Sequence, residues 1–359
     1  YFFDGPEAMK WLQKGMRILA SEVGEQILAD GGHYERSPMY HALSLEDMLD
    51  LENLMLTKPE LFSNYHVHKE LWPKIIDKMI SWLISMSHPD GNISFFNDAS
   101  FGIAPSNVEI VSYAKRLGHI VVKNTNDVVY LKDTGYIRVV KGPITLLIDV
   151  AAVGPDYLPA HAHADSLSYE FSFKEQRVVV NSGTSLYEQG TARDFQRGTS
   201  AHSTVEIDFE NSSEVWHSFR VARRAQVYDV VIERSGSCII ISAKHNGYLR
   251  FKKQTIHKRT WIIDVNSLEI KDDILGGFST ALSRHYLHPE IKVSELESQN
   301  KLSLGEFSDD ILEIDSDDVS LSPSQWHPEF GVSVPNFCLQ ENLEFNSLKN
   351  CCRLKFISN

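Results

Sequence analysis

Apolar positions in the first hundred residues recur at helical spacing. Trp11, Leu12, Met16, Leu19, Val23 and Ile27 form one stripe. Asp4, Pro6 and Glu7 supply a start signal, with Asp4 as the cap, and Gly31-Gly32 a stop. A second helix is expected from Ser44, with Asp47 three residues on, carrying Leu45, Met48, Leu49, Leu51 and Leu54. A third is expected from about Pro73 to Met86, with Ile75, Ile76, Met79, Ile80 and Leu83 inward, ended by the turn His88-Pro89-Asp90-Gly91.

After about residue 120 the period changes to that of strands. Val121-Val122, Val128–Leu131, Tyr136–Val140 and Thr145–Val150 are short β-rich runs separated by Gly, Asn or Asp. Leu167–Phe173, Arg177–Val180, Ala225–Ile232, Cys238–Ala243, Gln254–Ile263 and Ser267–Ile270 continue the pattern, and Lys301–Leu304 and Arg353–Ile357 carry it on more sparsely. Many short strands with turn punctuation predict a large antiparallel β-sandwich behind a helical region. No fixed-period repeat and no low-complexity segment interrupts this order. The chain opens on Tyr1, a few residues ahead of its first helix, and reads as part of something longer.

Composition narrows the functional classes. The formal net charge is −13 over 359 residues, which argues against a nucleic-acid partner, because phosphate binding needs a basic surface. A local cluster of Arg and His can still hold a carboxylate in an acidic protein. No apolar run reaches the roughly 18 residues of a membrane span. Cys238, Cys338, Cys351 and Cys352 show no CxxC or CxxH spacing, so they read as buried or free thiols.

The densest polar cluster is Pro159-Ala160-His161-Ala162-His163-Ala164-Asp165. Two His two residues apart point the same way on an extended chain, where they bind a metal, act as base and partner, or are satisfied structurally. Asn181–Tyr187 and Arg197–Thr204 follow, and His202 joins the first two His if the strands pair. In the helical half, Asp30–His41 reads as an interhelical loop rich in Tyr, Glu and Arg. A Tyr hydroxyl there exchanges protons once neighbouring cations lower its pKa; the alternative for Tyr34 and Tyr40 is half-buried packing. Trp216 with Arg220, and Trp326 with His327, are weaker candidates for stacking on sugars, and Arg284, His285, Tyr286 and His288 for lining a cleft.

The runs DGGHYERSPMYH from Asp30, PAHAHADSLSYEFS from Pro159, NSGTSLYEQG from Asn181 and RGTSAHSTVEID from Arg197 resemble, in order and spacing, motifs of the heparinase II/III family of polysaccharide lyases. The resemblance implies an α+β multidomain chain. Residues 1–115 would be the C-terminal part of an (α/α) toroid, and residues 116–359 an antiparallel β-sandwich, with the site in the cleft between them. It implies β-elimination on a uronic-acid polysaccharide, with Tyr40 and His161 catalytic. Arg36, Arg193 and Arg197 are candidates for binding anionic groups, since the guanidinium fork fits carboxylate or sulfate, and Glu35, His41 and Tyr187 are expected to bind substrate beside them. The chemistry needs no cofactor. His163 and His202 match residues that bind a structural zinc in some members, but Asn181 stands where those members have Asp, and an amide is a poorer ligand. The family's carboxylate-neutralising Asn, in an Asn-His pair, is expected ahead of Tyr1. A periplasmic or secreted location is expected with that function. The competing readings are a non-catalytic, biosynthesis-linked carbohydrate-binding protein and, last, a hydrolase using Glu35 and Asp165.

Overall fold

The computed structural model describes residues 3–122, 125–295, 301–307, 310–315, 319–344 and 351–358. Four helices come first: α1 (Pro6–Gln26), α2 (Pro38–Thr57), α3 (His66–Ser85) and α4 (Asn107–Leu117). A short α5 (Thr191–Arg197) interrupts the strands that follow.

Helix boundaries differ from the sequence expectation where local capping wins. Gly5, not Asp4, occupies the cap of α1, and the helix ends at Gln26, ahead of Gly31-Gly32. Its buried residues are Met16 and Val23, while Trp11 is exposed. α2 begins six residues before Ser44, because Ser37 caps it through the Tyr40 backbone N–H and Pro38 fits its first turn. The span expected to be a loop therefore already carries Tyr40 on a helix. α3 starts well ahead of Pro73, which lies inside it. α4 was not anticipated, although Ser106 and Glu109 form a capping box and Gly118 closes the helix at φ 103°. Val121-Val122 forms no strand.

Among the described residues, nine strands form one sheet. Its order is Val128–Leu131, Tyr136–Lys141, Ile144–Asp149, Tyr169–Phe173, Gln176–Val180, Ala281–Leu287, Val334–Asn342 and Val319–Trp326, with Val205–Ile207 also paired to Ala281–Leu287. Eight more make a second sheet: Ser294–Glu295, Lys301–Phe307, Asp310–Asp315, Cys351–Ser358, Ser267–Leu275, Ile256–Asp264, Cys238–His245 and Val227–Ser235. Val215–Trp216 and Arg220–Val221 form a separate two-stranded hairpin. All named strand pairs are antiparallel.

The two sheets share one core, with Ile137, Ile148, Phe171 and Val179 from the first meeting Ile241, Trp261, Ile270 and Leu354 from the second. Helices cover the other face of the first sheet, where Val180, Tyr286, Trp326 and Cys338 join Leu45, Leu49, Ile76 and Leu83. Every residue of Ile144–Asp149 is buried as a result. Each fully buried aliphatic or Phe side chain contributes about 1.5–3 kcal/mol, so this three-layer stack fixes the loops between helices and first sheet.

Those loops are fitted closely. A Cβ on Gly32 would lie 2.3 Å from Thr134 Cγ2 and 2.4 Å from Trp82 Nε1. Asp30 accepts from the Thr134 N–H at 2.7 Å and from its hydroxyl at 2.9 Å. The segment leading into α2 is thereby clamped between α3 and the turn ahead of Tyr136.

Candidate active site

Tyr40 and His161 lie together. Their ring centroids are 4.2 Å apart, tilted by 40°. Tyr40 sits in the first turn of α2, and His161 in a turn of the long connection between Ile144–Asp149 and Tyr169–Phe173, not on a strand. Both are half-buried. The Tyr40 hydroxyl is 2.8 Å from that of Tyr187. Glu35 brings a carboxylate oxygen to 3.9 Å from His161 Nε2.

Asp98, which the sequence reading passed over, organises the cluster. It is fully buried and accepts from His161 Nδ1 at 2.9 Å, His163 Nε2 at 2.8 Å and the Thr184 hydroxyl at 3.2 Å. The Arg193 guanidinium grips both its oxygens. Burial opposes ionisation of Asp98, but the hydrogen bonds from His161, His163 and Arg193 hold its carboxyl well below the usual range. A carboxylate only accepts, so Nδ1 of His161 donates to Asp98, and Nε2 is the nitrogen left facing Glu35.

Burial also sets the state of the hydroxyls. It pushes Tyr40 above the ordinary tyrosine value, and the opposing effects of Tyr187 and Arg193 are smaller. The expected lowering by cations is therefore reversed. Tyr187 is pushed up for the same reason. Glu35 is raised by burial, against His161 and with Asp98.

The expected anion-binding residues divide. Glu35 and Tyr187 belong to the cluster, and Arg193 joins it from inside through Asp98, whereas His41, Arg36 and Arg197 point elsewhere. His41 is fully buried, accepting from the His33 N–H and bonding the Met79 carbonyl at 2.9 Å. Arg36, at φ 60°, donates to the Thr134 and Gly154 carbonyls. Arg193 and Arg197 are wholly enclosed; beyond Asp98, Arg193 holds the Ser218 carbonyl, and Arg197 holds Ala162 and His217. A guanidinium spent on buried acceptors offers no fork to a polymer in solvent. Trp326 is core, stacked with Phe95 at 5.7 Å, and Arg284, His285 and Tyr286 are buried in their strand.

Behind His161 lies a second cluster of three buried residues: His163, Asp165 and His202, each offering a ligand atom within 4.8 Å of the others. His163 Nε2 donates to Asp98, and His202 Nδ1 donates to the Gly198 carbonyl at 2.8 Å. The remaining nitrogens, His163 Nδ1 and His202 Nε2, face each other at 3.1 Å. Neutral imidazoles in those tautomers oppose two lone pairs, and burial disfavours the extra proton that would join them. A bound cation would relieve this conflict, and His donors oriented by Asp98 and a backbone carbonyl suit one. The donor set fits with Asp165 as its carboxylate. Asn181 is not available, because its amide serves the Phe95 carbonyl and the Ser203 N–H.

Residues 123–353 match the family model described as heparinase II/III-like, C-terminal, and residues 2–115 match the heparinase II/III N-terminus. A heparin-sulfate lyase of Pedobacter heparinus is 25% identical over 237 residues, 58% of this chain and 33% of that protein. A heparin-sulfate lyase of Bacteroides stercoris is 21% identical over 317 residues, 82% of this chain and 44% of that one. The crystal structure of heparan sulfate lyase HepC from Pedobacter heparinus superposes with a TM-score of 0.73 at 17% identity, covering 98% of this chain and 56% of that one. A heparinase III structure gives 0.75, also at 17% identity, covering 98% and 57%. The chain thus spans less than half the length of the curated relatives it matches. No helix among the described residues is long and apolar enough to cross a membrane.

Proposed function

The chain belongs to the heparinase II/III family, and from that premise we propose that it is a polysaccharide lyase cleaving a uronic-acid-containing polysaccharide by β-elimination. The observation that carries this reading is the close pair of rings Tyr40 and His161, with Nδ1 of His161 engaged by Asp98 and Nε2 on the side away from it. The names of the relatives support an anionic glycosaminoglycan as substrate. The helical residues 1–115 would form part of an (α/α) toroid, and residues 116–359 the accompanying β-sandwich. The place of action would be the periplasm or outside the cell, where such polymers are met.

His161 Nε2 takes the proton from C5 of the uronate. The electron pair forms the C4–C5 double bond, and the C4–O bond breaks. Tyr40, kept protonated by burial, gives its proton to the departing oxygen. Glu35 faces the imidazolium that forms and stabilises it. Tyr187 fixes the direction of the Tyr40 hydroxyl. A divalent cation held by His163, Asp165 and His202 would supply structural rigidity behind His161, and no proton passes through it.

The test is a panel of uronic-acid polymers scored for the absorbance of the 4,5-unsaturated product. Tyr40→Phe and His161→Ala should each abolish that signal on whichever polymer the unmodified protein degrades, with the far-UV circular dichroism spectrum unchanged. Undiminished rates in both variants would overturn the assignment. Binding of a polymer without any unsaturated product would favour a carbohydrate-binding role instead.

A further inference from the structure

The hairpin Val215–Trp216 / Arg220–Val221 is too short to hold itself, since two residues per strand give only a marginal ladder. Its tip is anchored from below. Arg197 donates to the carbonyls of Trp216, His217 and Arg220, and Arg193 Nε to that of Ser218 at 3.0 Å. Both arginines are fully buried on α5, and they sit four residues apart, so one face of a single helical turn carries both anchors. Through Arg193 the tip is tied to Asp98 and so to His161.

This anchoring presents one aromatic residue. Phe219 is 41% exposed, yet its ring lies 5.7 Å from that of His161 and 5.2 Å from that of Tyr187, each edge to face. The Arg193 guanidinium lies over the ring at 5.6 Å. A large aromatic held half in solvent beside a polar site, on a turn whose Trp216, His217, Ser218 and Arg220 carbonyls are bonded from below, has an apolar face where a sugar ring would lie.

We propose that Phe219 is the stacking platform for the sugar unit adjoining the bond that is broken, and so a substrate-positioning residue. The proposal rests on the lyase reading for the identity of the sugar. The C–H face of a pyranose packs on the open face of the ring, which aligns the neighbouring uronate with Tyr40 and His161. Trp216, the aromatic residue that the sequence singles out in this hairpin, lines instead a separate cleft of about 410 Å³ with Asn211, Glu214 and Arg250.

The experiment separates binding from turnover. Hexasaccharides of alternating hexuronate and glucosamine, unsulfated and sulfated, are titrated by calorimetry into the protein carrying Tyr40→Phe. Phe219→Ala and Phe219→Leu are then added to that background, alongside Phe219→Trp. Weaker binding by about tenfold in both the Ala and Leu variants, with Trp close to Phe, is the expected result. In the active protein the same change should fall mainly on KM, with kcat altered less. Equal affinity in Phe219→Ala, or full recovery by Leu, would overturn the platform while leaving the lyase reading intact. A protein that binds through Phe219 but yields no unsaturated product would uphold the platform and refute the lyase reading. Failure of every hexasaccharide to bind would overturn the platform, while the lyase reading stands or falls on the polymer panel.

Discussion

The ionised carboxylate of Asp98 accepts a hydrogen bond from Nδ1 of His161 at 2.9 Å, and that contact decides which nitrogen of His161 is free to act. Asp98→Asn keeps the volume but can present an N–H where the carboxylate accepted, which allows the opposite tautomer. The rate of unsaturated-product formation should fall on the order of 10²–10⁴-fold, the range for losing a correctly held general base. KM should rise as well, because the same change breaks the Arg193 ion pair that secures the turn carrying Phe219; the fall in kcat is the part that reports on His161. A kcat within threefold of the unmodified protein would show that His161 needs no such orientation.

The facing lone pairs of His163 and His202 predict a cation effect on stability. Zinc or another divalent ion should raise the unfolding temperature, and a chelator should lower it. At a free ion concentration one hundred times Kd, the gain is about 2.7 kcal/mol. His202→Ala should remove the response, and Asp165→Asn should weaken it, while Asn181→Ala should leave the ion response in place. An unfolding temperature indifferent to both ion and chelator, with no metal found in the purified protein, would refute the donor set.

What was legible in the sequence follows from how local each signal is. The runs around Asp30 and His161 are dense in unusual residues, so they could be read directly. Asp98 could not, because it is a single acid in an irregular segment whose partners lie 63 to 95 residues away. The arginines were misjudged for a related reason: sequence does not tell whether a guanidinium meets solvent or the carbonyls of a distant turn. α4 buries only Ile110 and Ala114, too thin a stripe for periodicity, although its caps were in plain view at Ser106, Glu109 and Gly118. Phe219 carries no local signal at all, and its placement depends on Arg193 and Arg197.

Buried neutral histidines predict acid sensitivity at mildly low pH. Burial pulls His41 and His285 each down to about 3, against about 6.5 in an unfolded chain. Between those values the unfolded state binds the extra proton and the folded state does not. Their contribution to stability is therefore fully present above about pH 6.5 and declines as pH falls toward 3. Each such residue adds a slope approaching about 1.4 kcal/mol per pH unit. Denaturant midpoints at pH 7.5, 6 and 4.5 measure it, and His41→Gln should flatten the slope while lowering stability at pH 7.5. A stability independent of pH over that interval would contradict the burial of these rings in neutral form.

Gly32 tests whether the clamp on the segment ahead of α2 matters for the site it carries. Its φ is ordinary, so strain is not the issue; space is. A methyl group there would lie within 2.4 Å of both Thr134 and the Trp82 indole nitrogen, which donates to the Thr134 hydroxyl at 2.9 Å. Neither neighbour can yield easily, because Trp82 is fully buried and Thr134 is held by Asp30. Gly32→Ala should therefore cost about 1–3 kcal/mol, the usual penalty of overpacking. The backbone that must shift is that of Gly32 itself, and it leads to Glu35 and Tyr40. Turnover should drop further than the loss of folded protein accounts for, because a shift of about 1 Å at Tyr40 disturbs its alignment with His161. Thr134→Ser in the same chain removes the obstructing Cγ2 and should restore part of both. If Gly32→Ala lowers stability but leaves kcat per folded molecule unchanged, the clamp serves folding alone and the geometry of Tyr40 is set by the Ser37 cap of α2.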